Sequence, residues 1–486
     1  MNIFVTGHQS CYELEHVARI FYPTGLLCKK YPSGKPNAVI AHLTAKHMLC
    51  AIRQNGLCAI RRVPRPANAG KKEIEYAHAR LLFLLLCEAT GRKPQWGMLT
   101  GVRPVRFVHE MRAKGKDDAE IERFFTQDFF VARPKANMCA CIANTQKPIM
   151  DASTPRSYSL YISIPFCPSR CSYCSFVSRT IAESGNLTAP YIEALCAELA
   201  DIAAVAQRNR LRLETIYIGG GTPTAISAPQ LRRLMQAVRE NFALGEVKEY
   251  TVEAGRPDCT DVEKLQIIKE YGATRISINP QTLQNNVLCN IGRKHTAQDI
   301  LDCYAAARAA GHTNINMDLI AGLPGDTLAG FQYSLSGVIA LAPENITVHT
   351  LTLKRASNLV IDSAAENYGD VAAMVTQSQK MLAAAGYAPY YLYRQKGTLQ
   401  NLENTGYTKP GFAGLYNVYI MEEVHTILSA GAGGSTKLVA PGEIERIFNH
   451  KYPLEYLKHL DAVHARKKGV DDFYGRFFDL DSKTTG

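Results

Sequence analysis

From Leu160 to about Gly386 the chain alternates short β-rich runs with helical stretches, and this alternation restricts the fold more than any other feature. The runs are Leu160–Phe166, Leu213–Ile218, Glu249–Ala254, Arg275–Ile278, Asn314–Ala321 and Ile346–Leu353. Helix starts between them are legible from capping. Ser227 has Gln230 three residues on, followed by Leu231, Leu234, Met235 and Val238 at helical spacing. Thr260 with Glu263 opens a helix that stops at Gly272, and Thr296 opens another that ends near Gly311. Six βα units in succession predict parallel strands with crossover helices: an incomplete (β/α)6 barrel, with a doubly wound sheet as the alternative. In a barrel the functional groups sit at the carboxyl ends of the strands. Cys167 follows the first strand, Gly219–Thr222 the second, Glu253 ends the third, Gln281 lies just past the fourth, and Asp318 is on the fifth. The candidate residues therefore converge on one rim.

The first strand delivers Cys167, Cys171 and Cys174 in C-x3-C-x2-C spacing. Three thiolates that close together can share one metal site, and soft sulfur ligands suit an iron–sulfur cluster or zinc. A structural zinc site takes four protein ligands, and the next position where a fourth cysteine could sit is Phe176. A [4Fe–4S] cubane on three cysteines leaves one iron open to a small molecule; ordinary buried thiols remain the plain alternative. Around this loop, Gly219, Gly220 and Gly221 allow backbone to approach a ligand. Glu253 and Asp318 can accept from an ammonium or from hydroxyls, and Arg293 can pair with a carboxylate.

Residues 1–150 are expected to form a separate basic α/β domain, with strands at Val39–Leu43 and Leu57–Val63 and a helix over Glu73–Ala89. This third of the chain holds 23 Lys and Arg against 11 Asp and Glu, so the whole net charge of +11 belongs to it. Such a surface is either solvated or a site for a polyanion, meaning nucleic acid or a multiply carboxylated substrate. Gly91–Arg106 is turn-rich and basic and holds the single Trp96, read as a core anchor in preference to a stacking platform. Cys139 and Cys141 read as buried or free thiols, and Lys147–Ser157 as a linker. The barrel is expected over 157–388 and a mainly helical C-terminal domain over 389–486. No apolar run approaches the roughly 18 residues a membrane helix needs. Fourteen cysteines without a secretion signal imply reduced thiols and a cytoplasmic location.

These residues resemble the radical S-adenosylmethionine (SAM) superfamily, and more narrowly its oxygen-independent coproporphyrinogen III dehydrogenase (oxidase) family. The matching pieces are YISIPFCPSRCSYCSF, GGGTPT from Gly219, VEAG from Val252, RISINPQ from Arg275, NIGRKH from Asn290 and DLIAGLPG from Asp318, with GAGGSTK near Gly431. The basic N-terminal domain and HTLTLKRAS from His349 resemble the HemZ-like branch.

The resemblance implies a radical-SAM barrel in which Cys167, Cys171 and Cys174 hold one [4Fe–4S] cluster. SAM would chelate its open iron. Tyr161, Gly220 and Glu253 match positions contacting that first SAM, with Tyr161 and Glu253 nearest the chemistry; Tyr173, Gly221, Thr222, Gln281, Arg293 and Asp318 match positions lining a second one. The implied reaction is oxidative decarboxylation of coproporphyrinogen III propionates to vinyl groups in porphyrin and haem biosynthesis. Its partners would be a porphyrinogen substrate and an electron donor such as a flavodoxin or ferredoxin. A haem chaperone of the same family and a tRNA-modifying radical SAM enzyme are the other readings. The family's haem carriers have a C-terminal His-Asn-x-x-Tyr-Trp, which here is Tyr416-Asn417-Val418-Tyr419-Ile420. Three positions depart from the family pattern: Ser163 for a histidine, Phe176 for a cysteine, and Asn279-Pro280 for a glycine and a small apolar residue. Arg92, Arg103 and Arg106, with Lys354 and Arg355, are candidate clamps for substrate carboxylates.

Overall fold

A computed structural model describes residues 1–31, 34–176, 178–352, 371–395 and 397–478. Lys354 and Arg355 lie outside the described residues. The chain divides into two compact units, Met1–Ala140 with Arg394–Leu402, and Cys141–Tyr393 with Glu403–Gly486.

In the first unit, β1 (Asn2–Thr6), β2 (Leu26–Leu27), β3 (Ala38–Leu43), β4 (His47–Gln54) and β5 (Leu57–Pro64) form a sheet in the order β2-β1-β3-β4-β5. Asn55 and Gly56, both at positive φ, make the two-residue turn that joins β4 to β5, with Gln54 paired to Leu57. One face of the sheet buries Ile3, Val39, Ala41, Met48, Cys50 and Ile52 against two helices, Tyr12–Phe21 and Lys71–Thr90. The helix contribution is Leu14, Val17, Ile74, Leu82 and Leu86, all 3% exposed or less. Trp96 is a core anchor at 1% exposure, with the Arg394 guanidinium 5.1 Å from its ring centre. Arg394 also donates to the Leu99 carbonyl, at 2.5 Å, which brings a distant piece of chain into this unit.

The second unit is built on β6 (Ser157–Ile164), β7 (Phe166–Cys167), β8 (Arg179–Thr180), β9 (Arg212–Gly220), β10 (Glu249–Glu253), β11 (Arg275–Gln281), β12 (Ile315–Ala321) and β13 (Asn345–Thr350). Neighbouring strands β6, β9, β10, β11, β12 and β13 pair in parallel and in sequence order. That order excludes the doubly wound sheet, which would reverse direction at a switch point. The strands alternate cleanly. Leu160, Ile162, Ile216, Ile218, Val252, Ile276, Ile278, Ile315, Met317, Ile346 and Val348, all 2% exposed or less, share one face and meet the crossover helices. The opposite face carries Ser159, Tyr161, Thr215, Tyr217, Thr251, Glu253, Ser277, Asn316, Asp318 and Thr347. This inward face is polar, buried and cross-linked. Ser159 bonds Thr215 at 2.7 Å, Asn316 donates to Ser277 at 2.7 Å, and Thr347 donates to Asn316 at 3.0 Å.

The capping box at Ser227 forms as expected, and Thr296 opens its helix as expected, with Asp299 closing a box there. The one expected at Thr260 moves by one residue. The Thr260 hydroxyl is engaged by Thr224 at 2.8 Å, and Asp261 caps the helix by accepting from the Lys264 amide. The expected linker is shorter as well, because the helix Arg133–Asp151 continues through Pro148 almost to β6.

The C-terminal part differs from the mainly helical expectation. Its helices Leu415–Glu422, Pro453–Lys458, Leu460–Ala465 and Lys468–Phe477 are interleaved with β14 (Ala388–Arg394), β15 (Glu403–Thr408), β16 (Thr426–Ala430), β17 (Ser435–Ala440) and β18 (Glu443–Phe448). These strands extend both edges of the barrel sheet, β15 against β13 and β16 against β6. An open barrel leaves two rows of unpaired backbone groups, and added strands satisfy them.

Candidate cluster and cofactor site

The loop after β6 is pinned to its neighbours through backbone. The Gly221 amide donates to the Ile164 carbonyl at 2.8 Å, the Thr222 amide to Phe166 at 2.7 Å, and the Ser172 amide to Ile291 at 3.0 Å. Glycine is required where this loop meets β9. A Cβ on Gly221 would lie 2.5 Å from the Phe166 carbonyl oxygen and 2.9 Å from Cys167 Sγ. Gly220 has φ +117°, in the region that favours glycine.

Cys171 is buried, and Cys167 and Cys174 are half-buried. Burial pushes the Cys167 and Cys174 thiols up, and the neighbouring cysteines push in the same direction. Donors face the sulfurs: Thr222 Oγ1 lies 3.6 Å from Cys167 Sγ and Arg256 Nη1 lies 3.6 Å from Cys171 Sγ, with Ser178 also beside Cys167 and Arg293 beside Cys171. Among the described residues no group of His, Cys, Asp and Glu closes on a single metal ion. A cubane asks for something else: each thiolate binds a different iron, so the three sulfurs stand around a cluster instead of converging on a point. The loop offers three thiols with cationic and hydroxyl donors, and Phe176 is 66% exposed. This donor set fits a three-cysteine [4Fe–4S] cluster and falls one ligand short of structural zinc.

Beside the loop, the inward face of the barrel gathers most of the expected cofactor residues. The rings of Tyr161, Tyr217 and Tyr416 stack, with Tyr217 and Tyr416 centres 4.5 Å apart. The Tyr217 hydroxyl donates to Glu253 Oε1 at 2.6 Å. Burial is the main cause that pushes the Glu253 carboxyl up to about 7; the nearby Asp318 adds to it, and the Tyr217 bond opposes it. Asp318 goes the other way. Burial again opposes its ionisation, but His349 at 3.6 Å and the Asn316 amide at 2.7 Å outweigh that and hold it below the usual range.

Tyr173 and Arg293 form a second group against Cys171. Arg293 donates to the Asn279 carbonyl at 2.5 Å and to the Tyr173 hydroxyl at 3.3 Å. Gln281 ends β11 with φ +67°, and its buried Oε1 has no hydrogen-bond partner among the described residues, so an acceptor is held ready for a ligand. Ser163, at the family's histidine position, spends its hydroxyl on the Ala432 carbonyl at 2.8 Å. In the first unit, Arg92 donates to the Phe21 carbonyl and Arg106 pairs with Glu110.

Tyr217, Tyr416, His349 and Arg256 were not among the residues expected at the site. Tyr217 had a usable signal, since it sits two residues before Gly219 and therefore on the same face of β9. Tyr416 and Arg256 had none, because their neighbours are far away in sequence.

The radical SAM superfamily profile matches residues 161–335. The chain is 37% identical over 397 residues, 79% of its own length and 78% of the relative's, to the oxygen-independent coproporphyrinogen-III oxidase-like protein HemZ of Bacillus subtilis. The chain belongs to the radical SAM superfamily, in the coproporphyrinogen-III oxidase-like family. Like radical SAM proteins generally, it uses a [4Fe–4S] cluster on three cysteines together with SAM, and such proteins need an electron donor and a substrate. The family also includes proteins of another kind. The haem chaperone HemW of Escherichia coli is 30% identical over 329 residues, covering 66% of this chain and 82% of that one. Among solved structures, coproporphyrinogen III oxidase (HemN) from Escherichia coli shares the radical SAM fold at TM-score 0.51 and 22% identity, over 66% of this chain and 73% of that chain. No helix among the described residues is long and apolar enough to cross a membrane.

Proposed function

We propose that this chain is a cytoplasmic radical SAM oxidoreductase that converts propionate side chains of coproporphyrinogen III to vinyl groups without oxygen, giving protoporphyrinogen IX. The observation that carries this reading over a haem carrier is Tyr416. The carriers place a histidine there, whereas Tyr416 is 5% exposed and stacked 4.5 Å from Tyr217 beside Glu253. Its ring is committed to the inside of the barrel and is not offered to a haem iron.

In this reading Cys167, Cys171 and Cys174 hold the cluster. Tyr161, Gly220 and Glu253 contact SAM, and Tyr173, Gly221, Thr222, Gln281, Arg293 and Asp318 stand at the positions that match those lining a second SAM in the family. When bound, cluster and SAM would supply a 5′-deoxyadenosyl radical for hydrogen abstraction at the propionate β-carbon, with CO2 released and the remaining electron passing to a one-electron acceptor as the vinyl group forms. Glu253 and the ionised Asp318 act as acceptors for ammonium and ribose hydroxyls, and the Gln281 amide oxygen is a third acceptor. A flavodoxin or ferredoxin would deliver the electron.

The deciding experiment is anaerobic incubation of the reconstituted chain with reductant, SAM and coproporphyrinogen III. Formation of protoporphyrinogen IX with 5′-deoxyadenosine is expected; SAM cleavage with coproporphyrinogen left intact would sink the reading. The HemW relatives and Phe176 favour the haem carrier as second reading. Haem kept at one equivalent through purification would support it.

A further inference from the structure

Arg256 follows the carboxyl end of β10 and is 3% exposed, and its guanidinium is used completely. Nε and Nη2 form a fork on Asp258, at 2.9 and 2.6 Å. Nη2 also donates to Ser169 Oγ at 2.9 Å, and Nη1 to the Ser169 carbonyl at 3.0 Å. The remaining contact, from Nη1, is Cys171 Sγ at 3.6 Å. Five donors thus meet five acceptors, and three of those acceptors lie on the cysteine loop between Cys167 and Cys174. The three cysteines are not treated alike: Cys167 has the Thr222 hydroxyl 3.6 Å away, whereas Cys171 is faced by guanidinium groups, Arg256 through Nη1 at 3.6 Å and Arg293 beside it.

Two facts make this more than a brace for the loop. The Arg256–Asp258 pair is neutral as a whole, but its positive end faces sulfur and its negative end faces away. A buried dipole of that kind is screened far less than a surface pair. Hydrogen bonds and charge at cluster sulfurs are also among the levers that set reduction potential. Positive charge beside a thiolate ligand favours the reduced cluster, which carries one more electron.

We propose that Arg256, oriented by Asp258, is a positioning residue that fixes the Cys171 side of the cluster and raises the cluster's reduction potential. The inference rests on the proposed cluster site and adds a residue to it. The sign is the useful part. Removing the guanidinium leaves Asp258 behind and must lower the potential. Removing only the Asp258 charge leaves the guanidinium behind and must raise it. Damage to the loop alone would move both variants in the same direction.

The test is an EPR-monitored redox titration of the anaerobically reconstituted full chain, without SAM or substrate, alongside iron and sulfide content. Arg256→Met is expected to lower the reduced fraction at a fixed potential at least tenfold, equivalent to about 59 mV for one electron. Arg256→Lys should recover part of that shift, because it keeps charge without the fork. Asp258→Asn should shift the potential upward. If the methionine variant loads no cluster, the sign of the Asp258→Asn shift still decides. Unchanged potentials in fully loaded variants, or Arg256→Met and Asp258→Asn shifting the same way, would overturn the proposal. A parent chain that takes up no [4Fe–4S] cluster would instead overturn the cluster site itself.

Discussion

In the N-terminal sheet, Ile3, Val39, Ala41, Met48, Cys50 and Ile52 line up against two helices and form an apolar core. In the barrel sheet the apolar side chains face outward to the helices, while the enclosed face carries Ser, Thr, Tyr, Asn, Asp and Glu. Both faces of the barrel strands are buried, yet only one is held by apolar packing. A buried polar atom costs about 1–3 kcal/mol if it finds no partner, so an enclosed polar face is tolerated only where its groups bond one another or wait for a ligand. Ser159, Ser277, Asn316 and Thr347 do the first. Gln281 Oε1, with no partner among the described residues, does the second, and Glu253 takes the Tyr217 hydroxyl on Oε1 while its carboxyl stays raised. Polarity inside the barrel marks the site, whereas the helix-facing side of the first sheet is mainly apolar and its polar groups are paired, Arg61 with Glu88 and the buried His78 with the Leu49 carbonyl.

The contrast can be broken most severely at the cysteine loop. Cys171→Ala should abolish the iron content and brown absorbance of anaerobically reconstituted protein, since three ligands have no spare. A full [4Fe–4S] complement in that variant would mean that a different set of the fourteen cysteines is the site.

In the first sheet the corresponding change is a cavity. Leu82 is fully buried between helix and sheet, so Leu82→Ala should cost about 2–5 kcal/mol in urea unfolding of that unit. The cluster spectrum of the loaded, folded chain should be unchanged. A lost spectrum under native conditions would contradict the division of labour between packing and ligand binding.

Glu253→Gln sharpens the comparison with a smaller effect. SAM binding, followed by calorimetry under nitrogen, should weaken by about 1–3 kcal/mol, the usual loss for a charged hydrogen-bond partner. The cofactor-free chain should respond in the opposite sense. The folded carboxyl titrates near 7, above its unfolded value, so ionising it opposes folding as pH rises through that window. The glutamine variant should therefore match the parent near pH 4 and be more stable by about 1–3 kcal/mol at pH 8, with the difference opening as pH rises. An apolar core position would show no such pH dependence, and neither would a Glu253 that is already ionised at pH 5.

Much of the barrel was written locally. Ser227 with Gln230, Thr296 with Asp299, and Gly272 and Gly311 at positive φ each settle a helix end through bonds spanning a few residues. The strands between them follow from runs of β-branched residues. The sequence by itself therefore determined the order of six βα units, and with it the rim where the cysteine loop, Glu253 and Asp318 meet. Thr260 shows the limit of such local signals, because a partner 36 residues away took its hydroxyl and moved the cap to Asp261.

What only the tertiary structure decided depends on partners distant in sequence. Arg256 reaches Cys171 across 85 residues, and Tyr416 reaches Tyr217 through the last part of the chain. Glu198 is buried under Lys467, Tyr456 and the Gly431 amide. Arg394 joins Trp96 and Leu99 in the first unit. In each case the side chain's chemistry was visible from the start. Its partner was not, because side-chain pairing at that separation is set by how whole elements pack, and no periodicity or spacing in the chain encodes it.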